Sequence, residues 1–210
     1  MEGRATAEGP TLPNPLTGGL MYLTPQPLVP PAVLAAARQP RLSLIWGTHT
    51  PTPTLLAMFP WLAARGETPR VFDGGNRFDG YFVARVARRM TPQPEVVLGR
   101  LRLSRAFTCY QLAQLIEEAH ASLSPVLILD LLSTLYDESV PLRDVERLLA
   151  QVISHLKRLA AVGPVIVGAR EPQTMVKERW KLLEQLQVAA DTTWMLRPPL
   201  GETVEQARLL

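Results

Sequence analysis

Short apolar runs alternate along this chain with longer stretches in which apolar residues return every three to four positions. The runs Leu42–Trp46 (LSLIW), Arg70–Phe72 (RVF), Pro125–Leu132 (PVLILDLL), Pro164–Gly168 (PVIVG) and Thr192–Leu196 (TTWML) predict strands. The run 125–132 is too short to span a membrane and reads as a central strand. Glu95–Leu103 has alternating, strand-like residues. Between these runs, Pro53–Arg65, Asp79–Met90, Tyr110–Ala121, Leu142–Ala161 and Thr174–Val188 predict helices. In 142–161 the apolar stripe is Val152, Ile153, Leu156 and Leu159, with Lys157 and Arg158 beside it at the surface. Strands that alternate with helices imply parallel crossovers. The expected fold is therefore α/β, a three-layer domain with a mostly parallel central sheet and helices on both faces. Ligands of such sheets sit beyond the carboxyl ends of the strands, so the positions to inspect begin at Gly47, Asp73, Asp130 and Ala169.

The first 40 residues depart from this rhythm. Prolines at 10, 13, 15, 25, 27, 30, 31 and 40 fix φ and remove backbone donors, which predicts an extended or irregular arm with one short helix from Pro31 to about Arg38. Leu20, Met21, Tyr22, Leu23, Leu28 and Val29 give this arm an apolar surface to pack on its own domain or on a neighbouring subunit. The expected division is a proline-rich arm over 1–40 and a core domain over 41–210, a length that suffices for one sizeable core.

Composition adds mainly exclusions. Hydrophobic residues at 47% and charged residues at 20% are ordinary for a globular protein. No apolar run reaches the roughly 18 residues of a membrane span. The opening MEGRATAEGPTLPNP lacks a basic patch followed by an apolar stretch, so a cytoplasmic protein without a membrane partner is expected. Cys109 stands alone and reads as a small core or helix-start residue. His49, His120 and His155 are scattered, with neither metal-ligand spacing nor a Ser/His/Asp arrangement, so no metal site and no nucleophilic constellation are expected. Net charge is +3 and the pI about 9.3, which permits nucleic acid as a partner without requiring it.

The loop after the first strand of the core, GTHTPTPT over 47–54, stands where a phosphate-binding loop G-x-x-x-x-G-K-[ST] would stand. Gly47 and Thr54 match the first and last positions. Thr52 replaces the second glycine and puts a side chain where the backbone should approach a phosphate. Pro53 replaces the lysine and supplies no charge. Pro51 and Pro53 also lack the N–H groups that such a loop aims at an anion. What remains is a helix start, with Thr52 as N-cap and Pro53 as first helical residue.

Three further stretches resemble the core of the RecA/RadA recombinase family. RVFDGGNRFDGYFVARVA (70–87) is similar to its strand ending in an acidic turn, then a phenylalanine and a helix. LRLSRAFTCYQLAQLIEEA (101–119) resembles its strand ending in Arg-Ala-Phe before a glutamine-bearing helix, and SPVLILDLLSTLYD (124–137) resembles the Walker B strand. PVIVGAREP (164–172) falls where the family has its next core strand. The likeness covers roughly residues 41–197, and it implies a RecA-like domain.

The departures from that family carry as much weight. Aligning Asp73 and Phe78 puts the family's water-orienting glutamate at Gly75, and no carboxylate is there. With the lysine and the glutamate both absent, the resemblance implies a pseudo-ATPase that does not hydrolyse ATP and needs no cofactor. Gly47, Thr52, Pro53, Thr54, Asp73 and Asp130 would then line a vestigial nucleotide pocket. Asp130 reads either as a residual metal or nucleotide contact or as a strand-end carboxylate capping a turn, and Pro53 favours the second. Asp73 is similarly ambiguous, since Asp-Gly-Gly-Asn is strong turn chemistry.

Two basic groups could meet DNA. Arg85, Arg88 and Arg89 share one face of the 79–90 helix, with Arg105 on the next strand. Arg170, Lys177 and Arg179 follow the 164–168 strand, with Trp180 placed either to stack on a base or to lie buried. The alternative for all of them is a solvated helix face. The expected function is thus a non-catalytic RecA-like protein in DNA repair or recombination. It would bind single-stranded DNA, a recombinase or other partner protein, or itself through the arm. A regulatory protein-binding module without a DNA role, similar in kind to the cell-division inhibitor SulA, is the alternative. A weak ATPase ranks last.

Overall fold

The computed structural model describes residues 21–23, 28–173 and 177–196. Its elements in chain order are β1 (Met21–Leu23), α1 (Pro31–Ala36), β2 (Leu42–Gly47), α2 (Thr52–Ala64), β3 (Arg70–Asp73), α3 (Gly80–Met90), α4 (Pro94–Leu98), β4 (Arg102–Arg105), α5 (Cys109–Glu117), β5 (Val126–Leu129), α6 (Leu142–Ala160), β6 (Val165–Arg170), α7 (Trp180–Ala189) and β7 (Thr192–Leu196). A short 3₁₀ turn, Lys177–Arg179, leads into α7.

All strand pairs are parallel, and the seven strands run in the order β1-β7-β2-β6-β5-β3-β4. Alternation within each strand sorts the core into two layers. Leu42, Leu44 and Trp46 of β2, Ile128 of β5 and Val165 and Val167 of β6 pack with α5, α6 and α7. Ile45, Leu127, Leu129 and Ile166 point the other way and pack with α1 to α4. The chain steps outward across the sheet from β2 to β4 with helices on one face. It then returns through β5, β6 and β7 with helices on the other, as right-handed crossovers in opposite directions require. This is the three-layer α/β architecture expected from the alternation of elements. Met21–Leu23 pairs with β7, and Val33 and Ala36 of α1 join the α2–α3 core layer, so part of the proline-rich arm builds the same sheet and core. Residues 1–20, 24–27, 174–176 and 197–210 lie outside the described residues, and with them the expected helix start at Thr174.

Several boundaries differ from the sequence expectation. Glu95–Leu103 is not one strand: α4 occupies 94–98, started by Pro94 at its first position, and the strand is confined to 102–105. The apolar run 125–132 is extended only over 126–129, because Asp130 takes φ +50 and turns the chain. Its last apolar residues, Leu131 and Leu132, are buried in the turn itself. The helix expected over 110–121 is α5, capped by the Thr108 side chain, which accepts from the Gln111 N–H. The N-cap of α2 is Pro51, one residue earlier than expected, and Thr52 is the first helical residue.

Candidate functional site

Because every strand is parallel, the carboxyl ends of β2, β3, β5 and β6 meet at one edge of the sheet. Five charged side chains converge there: Asp73, Asp130, Arg77, Arg105 and Arg170. Asp73 ends β3 and is fully buried. Its two carboxylate oxygens accept hydrogen bonds from the backbone N–H groups of Arg77 (2.8 Å) and Phe78 (3.0 Å), and the Arg105 guanidinium donates to it at 3.0 Å. The Asp73-Gly-Gly-Asn turn is thus closed on its own aspartate, with Asn76 in the left-handed conformation that asparagine tolerates. Between the two readings of Asp73, its partners favour the turn-forming one.

Asp130, one residue past β5, is also fully buried. The Arg77 and Arg170 side chains approach it at 3.5 and 3.6 Å. Neither carboxylate oxygen has a hydrogen-bond partner at closer range, and the Arg170 Nε is likewise without one. Burial holds the Asp130 carboxyl above the ordinary carboxylate range, while Arg170 and then Arg77 pull it back. Tyr136 lies beside it and donates its hydroxyl to the Arg170 carbonyl at 3.0 Å. Burial first, and the Asp130 charge second, push the Tyr136 hydroxyl far above its usual value, so it stays a donor. Arg77, Arg170 and Tyr136 therefore enclose Asp130 from the turn after β3, from β6 and from the turn after β5.

The loop from Gly47 to Thr54 borders this cluster. Pro51 is buried, and Gly168 of β6 makes room for it: a Cβ on Gly168 would lie 3.0 Å from the Pro51 ring. The N–H groups at the start of α2 are taken within the loop. Thr52 N–H donates to the Thr50 hydroxyl at 3.4 Å, and those of Thr54 and Leu55 donate to the Pro51 carbonyl. The Thr50 and Thr52 hydroxyls share a 2.8 Å hydrogen bond. Pro53 is exposed and contributes no donor. Gly47 is pressed against β7, where a Cβ would come 2.5 Å from the Leu196 carbonyl oxygen. Position 75 is equally tight. A Cβ there would lie 2.8 Å from the Asp130 Cβ and 3.1 Å from Arg77. Among the described residues no three His, Cys, Asp or Glu side chains gather to hold a metal ion.

The basic residues separate into different roles. Arg179 is a correction: it is buried, and its guanidinium donates to the carbonyls of Leu135 (2.5 Å) and Val140 (2.7 Å), so it holds the segment before α6 rather than facing a nucleic acid. Arg105 and Arg170 are engaged with the two buried aspartates. Arg85, Arg88 and Arg89 are exposed on α3, and Lys177 is exposed ahead of α7. α3 packs in one core layer and α7 in the other, so these two groups lie on opposite faces of the sheet. Trp180 is partly buried against the α6–α7 core. Cys109 is buried at the first position of α5, and burial raises its thiol, an inert arrangement.

Sequence reasoning singled out Asp73 and Asp130 and noted the missing N–H of Pro51, but passed over Arg77 and Tyr136. The signal for Arg77 is present in hindsight: it is the one cation inside the turn FDGGNRF. Among the described residues, no helix is long and apolar enough to cross a membrane. A scan against protein-family models matches none, and a search of curated proteins finds no relative.

Proposed function

We propose that this protein is a RecA-like scaffold that does not hydrolyse nucleotide and that acts in DNA repair or recombination by contact with a partner. The observation that carries the reading is the closure of Asp130 by Arg77 and Arg170. In an active relative of the resembled family this aspartate would serve a magnesium shell. Here two guanidinium groups already supply its counter-charge. The residues do not fit magnesium and ATP held in the recombinase manner. The donors at the start of α2 are engaged, Pro51 fills the space above Gly168, and position 75 has no room for the family's glutamate. Phosphoryl transfer depends on positioned charge, and among the described residues the cations at this edge, Arg77, Arg105 and Arg170, face the two aspartates.

Partner-protein contact is favoured over DNA as the main mode. Of the seven basic residues that pattern suggested, Arg179 is buried and Arg105 and Arg170 serve aspartates. Those that stay free do not form one continuous track. A regulatory module without a DNA role, in the manner of SulA, is the second reading, and the same separation of basic groups supports it. The scaffold reading predicts no saturable binding of labelled ATP in the presence of magnesium and no release of phosphate above background. Tight binding would overturn the account of the loop, and turnover would overturn the non-enzyme reading.

A further inference from the structure

The free basic residues on α3 border an apolar groove. Leu28 and Val29 ahead of α1, Leu34 of α1, Trp61 of α2 and Met90 and Arg89 of α3 line a space of about 280 Å³ that opens to solvent. Leu28 is 54% exposed and Met90 41%. Apolar side chains left in contact with water over a continuous groove mark an interaction surface more often than scattered single residues do. The α3 side of the groove is cationic, with Arg89 in its lining. Arg85, Arg88 and Arg89 have no ion-pair partner among the described residues, and Arg65 stacks on the Trp61 ring at 5.0 Å. Neither α1, α2 nor α3 contains an Asp or Glu. The nearest acids in sequence lie off the groove lining: Asp79 caps the opposite end of α3, Glu67 faces Arg65 and Arg38, and Glu95 stands in the first turn of α4.

We infer that this groove docks an acidic peptide segment of a partner protein, one that inserts bulky apolar side chains between α1 and α3 and sets carboxylates against Arg85, Arg88 and Arg89. The inference deepens the scaffold reading by naming the partner's chemistry, and it rests on that reading for taking this chain to act by contact. Charge complementarity selects the occupant. A nucleic acid would satisfy the arginines but would bring no aliphatic groups to the floor, and the face of Trp61 is already covered by Arg65. A second copy docking through a two-fold axis here would oppose the α3 arginines with their own mates. An acidic amphipathic segment satisfies floor and rim together, the arrangement of helix-in-groove recognition.

The test uses the full chain. Short random peptides displayed on phage are selected on the protein and counter-selected on Met90→Glu. Enrichment of Asp and Glu spaced with Leu, Ile, Phe or Met is expected. Labelled synthetic copies should then bind with affinity reduced about tenfold or more by Met90→Glu, by Leu28→Glu and by the Arg88→Glu/Arg89→Glu pair. The control Val188→Glu, on α7 across the sheet, should leave binding unchanged. Circular dichroism and thermal melting establish that each variant is folded, and Leu28→Glu, outside any helix, keeps the test valid if an α3 variant is not. No enrichment, enrichment of basic peptides, or affinity indifferent to these substitutions would overturn the inference. So would a peptide of residues 197–210 binding as tightly as the selected ones, which would give the groove to the chain's own tail. Concentration-dependent dimerisation abolished by Met90→Glu would likewise give it to a second copy, and competition by single-stranded oligonucleotide would give it to DNA. ATP turnover, by contrast, would overturn the scaffold reading without touching the peptide result.

Discussion

Asp130 is a buried carboxylate whose ionised form depends on two arginines that are themselves partly exposed, with side chains 42% and 27% accessible for Arg77 and Arg170. The asymmetry has a measurable consequence. Asp130→Asn frees two guanidinium groups that can reach water, and should cost about 1 kcal/mol. Arg77→Ala with Arg170→Ala strands a charge in the interior and should cost about 3–5 kcal/mol. The sign of the pH dependence follows from burial. The folded-state carboxyl sits above its unfolded value, so the folded state binds the proton more readily between the two. Stability associated with this group therefore falls as pH rises through that window and returns as pH falls. Without the arginines the window extends upward, and the urea midpoint of the double variant should recover relative to the parent as pH drops from neutrality. A gap that does not change with pH would refute the assignment.

Residue identity alone conveyed half of this site. The aspartates were legible because each ends an apolar strand. Their partners were not, since nothing in the local text of Arg77 or Arg170 says which carboxylate a parallel sheet will bring beside it. The absence of a carboxylate at position 75 was legible in alignment, but its steric reason was not. The glycine is required because Asp130 turns back at φ +50 and its Cβ fills the space. A left-handed aspartate costs about 1 kcal/mol of backbone strain, held here by packing on every side.

At the scale of elements, the segment between β5 and α6 depends on one side chain. Arg179, from the turn ahead of α7, spans to the Leu135 and Val140 carbonyls and so fixes where α6 begins. Arg179→Ala should destabilise by about 2–4 kcal/mol, since it leaves two carbonyls in a buried or part-buried setting without donors. It should leave any oligonucleotide affinity unchanged, as checked by denaturant titration beside fluorescence anisotropy. A lost affinity at full stability would restore the surface role. The elements themselves were mostly legible, because long amphipathic helices such as α6 and apolar strands such as β2 have unambiguous periods. The failure at 95–103 has a plain cause: five residues cannot separate a period of two from one of 3.6, and the start signal at Pro94 was the better guide. Edge strand β4 gave no apolar alternation to read, since Arg102, Leu103 and Arg105 are all exposed.

For the molecule as a whole, charge distribution limits what nucleic acid could do. With the α3 arginines on one face and Lys177 on the other, one strand can engage about three phosphates at once. The slope of log affinity against log salt for a single-stranded oligonucleotide should then be no steeper than about −2. A much steeper slope, measured by anisotropy across a salt series, would require more cations in one track than the α3 group supplies.

The sorting of helices by face also governs how the chain can be divided. Everything up to α4 builds one helical layer, and everything from α5 onward builds the other, so a cut in the exposed stretch at Phe107 and Thr108 would separate the layers cleanly. It would not separate the sheet. β7 is wedged between β1 and β2, and β6 with β5 between β2 and β3. Each fragment alone would hold strands with gaps where the other's belong, like the teeth of two combs. The halves are therefore complementing fragments rather than modules: beyond the β3·β4 pair in the first and the β5·β6 pair in the second, neither can complete its hydrogen-bonded ladder before the other arrives. Such long-range interleaving makes for slow, all-or-none assembly.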